Sequence, residues 1–119
     1  MTSNETKLKN LREYLDSLIS ECRDAITSAI RKMEMFNISP EDFRKESVNL
    51  NVAAFTLGYL NQAKEVSENS DYKTTENFIR FHRHQLETKA DINQDAAITL
   101  AQNATISALS TIIDLYLDK

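Results

Sequence analysis

The segment Phe78-Ile79-Arg80-Phe81-His82-Arg83-His84-Gln85 holds both histidines of the chain, two of its arginines and two phenylalanines. Imidazole titrates near neutral pH and can carry a proton or ligate a metal, while guanidinium grips phosphate or carboxylate with a planar fork. Arg80, His82, Arg83 and His84 are therefore the candidate binding residues. On a helix, Arg80, His84 and Glu87 share one face with Arg83 close by, and Phe78, Phe81 and Leu86 are expected on the buried side. His82 falls nearer that side than His84. The simplest account makes the group a solvated basic face that answers the acidic last helix, with His82 at the core edge.

The sharper chemistries meet obstacles in the spacing. His82 and His84 lie about 200° apart around a helix and cannot grip one ion, and His84 with Glu87 supplies two ligands at most. A helical di-metal site needs Glu-x-x-His on each of two helices, a pattern this chain does not contain. No metal or other cofactor is expected. His84-Gln85-Leu86-Glu87-Thr88 resembles the phospho-accepting segment of helical histidine kinase dimerisation domains, which implies His84 as phosphoryl acceptor. Lys89 stands where that family has proline, Glu87 and Thr88 stand where free-standing phosphotransfer bundles have Lys and Gly, and the 119 residues hold no ATP-binding domain. Arg80 and His84 also resemble the arginine–histidine pair of small all-α ribonuclease toxins, but only three residues separate them, fewer than in that motif.

A basic segment with interleaved aromatics can contact phosphates and stack bases. Against that reading, the formal net charge is −4 and Glu76 and Glu87 flank the segment, so nucleic acid is an unfavoured partner. Cys22 is the single cysteine, which rules out an internal disulfide and a thiolate zinc site. Its place on an apolar stripe makes it a small buried hydrophobe.

The elements that position these residues read as helices. One glycine, Gly58, and one proline, Pro40, are too few for the turns of an all-β or α/β fold. The chain is 41% hydrophobic and 27% charged, a globular mix that one domain spanning 1–119 accommodates. The first helix is expected from a Thr2/Glu5 capping box to Asn37. Its apolar residues fall at Leu8, Leu11, Leu15, Leu18, Cys22, Ala25, Ala29, Met33 and Phe36, a stripe of about four heptads. Met33 and Met35 near Phe36 read as fillers at the helix end. Ser39-Pro40-Glu41-Asp42 opens the second helix with a capping hydroxyl, a first-turn proline and two carboxylates at the positive end of the dipole.

That second helix is expected to run to about Val66, with two apolar stripes, before a polar turn over Ser67 to Asp71. Gly58 inside it costs about 1 kcal/mol relative to Ala, so another backbone is expected close by. A third helix follows from Tyr72 to Lys89. The fourth, from Asn93 to Leu117, is capped by Asp91 and Gln94, although Lys89 to Asn93 would also tolerate one continuous helix. It carries Ala97, Leu100, Ala101, Ala104, Ala108, Ile112 and Leu115 inward and Thr99, Asn103, Thr105, Ser107 and Ser110 outward. No Lys or Arg occurs from Ala90 to Asp118, whereas four Asp do.

These elements amount to an all-α, elongated antiparallel bundle of about four helices with a long first helix. A first helix of this length outruns a compact globule of the same mass, so it breaks near Thr27, or the bundle is elongated, or its end pairs with a second copy. The sequence contains neither a secretory leader nor a run of about 20 apolar residues, and a cytoplasmic location without membrane is expected. The function that fits is a non-enzymatic protein–protein interaction module, acting as a homodimer or on another protein. The alternative is ligand, phosphate or nucleic-acid binding, or chemistry, around Arg80, His82, Arg83 and His84, with Tyr59 or Tyr72 at a pocket mouth.

Overall fold

The computed structural model describes residues 3–90 and 95–118. Among them are four helices and no strand: α1 (Asn4–Met33), α2 (Pro40–Asn69), α3 (Tyr72–Ala90) and α4 (Ala96–Ile112), the last continued by a π-helical turn over Ile113–Leu117. The radius of gyration is 16.1 Å and the extents are 55 × 31 × 22 Å, against about 13.5 Å expected for a compact chain of this length. The bundle is elongated because α1 does not break at Thr27. Its 30 residues run uninterrupted for roughly 45 Å.

Each helix start is set by a short polar side chain. Ser3 caps α1 by accepting the Thr6 amide, which replaces the expected Thr2/Glu5 box; Thr2 lies outside the described residues. Ser39 caps α2 by accepting the Asp42 amide at 3.0 Å, with Pro40 in the first turn, as the sequence indicates. Asp71 accepts the Thr74 amide at 2.9 Å to start α3. Asp95 accepts the Ala97 amide at 2.8 Å and caps α4 at Ala96; the expected start at Asn93 lies outside the described residues. The Asp91–Gln94 pair falls outside the described residues. α1 stops at Met33, short of Asn37, and α2 runs one turn past Val66 to Asn69.

The hairpin of α1 and α2 is the spine. Arg12 donates to the Ser67 carbonyl through Nε at 2.8 Å and again through its terminal nitrogen, and Lys64 bridges to Asp16 at 2.7 Å. These contacts close the end where α1 begins and α2 finishes. α3 and α4 then pack along α2, and the core forms from Leu11, Leu15, Ile19, Leu60, Ala63, Ile79, Leu86, Leu109, Ile112 and Ile113. Tyr72, expected at a pocket mouth, is instead buried in this core with its hydroxyl donating to the Tyr116 carbonyl at 3.4 Å. Ala96–Leu117 reaches a mean hydropathy of 1.3 over 18 residues, long and apolar enough by those two measures to cross a membrane, with a third of that window buried.

Two faces are rotated from their expected positions. On α4, Thr105 is fully buried whereas Leu100 and Leu115 are exposed. The reason is a polar pairing: Thr105 donates its hydroxyl proton to the Ala101 carbonyl at 2.9 Å and so must accept from Thr56, 2.9 Å away on α2. A threonine satisfied on both sides can sit in a core. On α3, Ile79, Leu86 and Thr75 are buried and Phe81 is 56% exposed. Gly58 has open space where a Cβ would stand, so no backbone among the described residues packs against it.

Candidate functional site

The basic segment lies on α3, where the fold brings its four residues into three different settings. Arg80 bonds back to Glu76, one turn earlier, at 3.1 and 3.2 Å, and across to Asp118 beyond the π turn at 2.5 Å. The acidic end of the chain thus answers this arginine directly. The hydrogen bond that Arg80 donates to Asp118, then that to Glu76, pushes its pKa up. Lys73 and Arg80 together hold Glu76 below the usual carboxylate range, against the desolvation that opposes them.

His82 sits in an aromatic nest. Its ring centroid is 4.2 Å from Phe78, 5.2 Å from Phe81 and 5.5 Å from Tyr59 on α2. Burial, and secondarily the charge of Lys89, pushes the His82 pKa down, so the neutral imidazole is the form the fold selects. Arg83 approaches Glu87 to 3.5 Å, but its buried Nε makes no hydrogen bond of good geometry. His84 is exposed, and its carbonyl accepts from Thr88. Arg80, His82, Arg83 and His84 therefore form no convergent set. Among the described residues, no three His, Cys, Asp or Glu side chains come together as a metal site.

A concavity lies elsewhere, at the other end of the hairpin. The apolar stripe of α1 is covered through Leu11, Leu15 and Ile19, and beyond them the cover is partial, with Ala29 still buried. Cys22 is half-buried, Ala25 is exposed and Ile30 is 40% exposed. The cause is the path of α4: the π turn touches α1, bringing Tyr116 to 4.7 Å from Tyr14, whereas α4 proper packs on α2 and α3 and has little contact with α1. The result is a trough of about 640 Å³. Val52, Ala53 and Thr56 of α2 form its floor, Cys22, Ala25 and Ala29 of α1 one wall, and Leu100 and Ala104 of α4 the other.

One charged side chain is set deep at the mouth of this trough. Glu46, on α2, has only a tenth of its side chain exposed. Its nearest cation, Lys32 on α1, is 3.9 Å away, beyond hydrogen-bond distance, and Asn49 donates to it at a long 3.5 Å. Cys22, expected to be fully buried, lines the wall instead. Burial first and Glu21 second push its thiol up, which keeps it protonated and weakly nucleophilic. Past the trough, the hairpin ends in an apolar tip. Phe36 is fully exposed, Met35 is 61% exposed and Phe43, in the first turn of α2, 47%, so Met35 is not a helix-end filler: α1 has stopped before it, and none of the described residues folds over it.

The sequence reading missed Glu46. The signal was present, because Glu46 continues the buried heptad of Ala53, Thr56, Leu60, Ala63 and Ser67, where a carboxylate is out of place. Comparison with protein-family models, with curated proteins and with solved structures gives no match to this chain.

Proposed function

We propose that this chain is a non-enzymatic protein–protein interaction module that acts through its amphipathic helices, as a homodimer joined at the hairpin tip. The observation that carries this reading is the surplus of apolar surface on α1 and α2. The stripe of α1 outruns the core that α3 and α4 supply, and the hairpin there exposes Ile30 of α1, Met35 and Phe36 of the loop and Phe43 of α2. Those four side chains present on the order of 500 Å² per copy, more than half of the roughly 800 Å² that each partner buries in a standard interface. Exposed aromatic and methionine side chains are also the types enriched where proteins meet.

Charge favours self-association in the same place. The last turn of α1 carries Arg31 and Lys32, and the first turn of α2 carries Glu41 and Asp42. A two-fold axis that sets one copy's α1 end against the other copy's α2 start joins opposite charges around the apolar centre. The test is absolute mass by light scattering, for the wild type and for Phe36→Asp. A wild-type dimer that the substitution dissociates supports the reading; a wild-type monomer refutes the homodimer.

A further inference from the structure

Three sides of a four-helix packing arrangement surround the trough, and the fourth is open. Its lining is mostly small or apolar, with Glu21, Lys32, Glu46 and Asn49 at its edges; α2 is its floor, and from Cys22 to Lys32 it is about 15 Å long, or roughly three helical turns. Small side chains such as Ala25 and Ala104 let another helix come close, whereas a flat ligand would leave much of such a trough unfilled. Glu46 adds a chemical requirement. A carboxylate withdrawn from water needs a cation or several good hydrogen-bond donors, and an under-partnered one is costly. Here Lys32 pairs with Glu46 only at 3.9 Å, with its own side chain 57% exposed, and Asn49 donates at 3.5 Å, so both contacts are long ones that a closer cation would improve on.

We infer that the trough receives an amphipathic helix of another protein, with apolar residues toward Ala25, Val52 and Leu100 and a Lys or Arg placed to pair with Glu46. The inference rests on the interaction-module reading and adds the chemistry of the partner. The trough meets the tip surface at Lys32, which lines it and also lies in the last turn of α1, while Phe36, Met35 and Phe43 are outside its lining. The incoming cation supplies the short contact that Lys32 does not, and helix burial excludes water from that contact, which strengthens it. Glu46 is then the specificity residue: it admits a basic amphipathic helix and penalises one with an acidic or apolar side chain at that position.

The test uses the full-length chain and a fluorescein-labelled sixteen-residue helical peptide, Leu and Ala on one face, with one central Lys on the edge of that face. Fluorescence anisotropy compares it with the same peptide carrying norleucine in place of that Lys. Binding of the Lys peptide at least about tenfold tighter is expected, the equivalent of about 1.4 kcal/mol. Glu46→Gln removes the difference between the peptides, and Ala25→Trp, at an exposed helix position on the wall, abolishes binding of both. Phe36→Asp leaves peptide binding unchanged, which separates this inference from the dimer. Equal binding of the two peptides, or none, overturns it, and because that comparison uses the wild-type protein it does not depend on how any variant folds. Dissociation of a wild-type dimer by Ala25→Trp would also overturn it, by assigning the trough to a second copy.

Discussion

Replacing Gly58 by Ala is expected to stabilise the protein, although the position lies within a helix that the bundle uses as its spine. The argument is local. Gly58 has no left-handed backbone angle to protect, and an added Cβ meets nothing within 4 Å. What remains is the propensity difference in a helix interior, about 0.8 to 1 kcal/mol in favour of Ala, part of it from the reduced freedom of the unfolded chain. With an unfolding entropy near 2.1 cal/mol/K per residue, a 119-residue chain loses about 0.25 kcal/mol per degree at its midpoint, so Tm should rise by about 4 °C. Thermal melts followed at 222 nm, repeated at two protein concentrations, separate this gain from any change in association. A lower Tm for Gly58→Ala would refute the reasoning and show that another chain approaches the α2 backbone there.

Three further outcomes follow from contacts already described. Thr105→Val should cost about 1 to 2 kcal/mol in urea unfolding, because the Thr56 hydroxyl loses its acceptor inside the core, whereas Thr56→Val with Thr105→Val should recover most of that loss; a double variant no better than the single would contradict the pairing. His82 has its pKa lowered by burial, so the unfolded state binds the proton more readily: the contribution is fully present above the unfolded value of 6.5 and is lost as pH falls through 6.5 toward the lower folded value. His82→Phe should therefore flatten the fall in stability below pH 6.5, and an unchanged slope would count against the nest. Arg80→Ala should destabilise by roughly 1 kcal/mol at low salt, and less at 0.5 M NaCl, because at 37% exposure solvent screens its bonds to Glu76 and Asp118; a loss that salt leaves unchanged would show that its packing matters more.

The sequence carried the fold through signals that act locally. The Ser39-Pro40 boundary is a capping hydroxyl and a ring compatible with a first turn, and both act within four residues. The stripe of Leu8 to Cys22 has only one burial solution. The face of α4 was less legible because a Thr counts as polar until its hydroxyl finds partners, and Thr105 finds Ala101 and Thr56 at a separation the sequence does not display. Phe81 and Phe36 failed for a related reason: an apolar residue near a stripe is buried only if another element reaches it, and here α3 and the α1–α2 loop turn them outward. The candidate site was the least legible. His and Arg draw attention by chemistry, yet Arg80 is engaged by Glu76 and Asp118, while the trough exists because α4 diverges from α1, a property of packing between distant segments.

The central claim, that the uncovered end of the hairpin joins two copies, is tested most directly by absolute mass in solution across a dilution series. The account predicts about twice the 13.6 kDa chain mass for the wild type at micromolar concentration, and the single-chain mass for Phe36→Asp with helicity unchanged. A wild-type chain that stays at the single-chain mass throughout the series would contradict it.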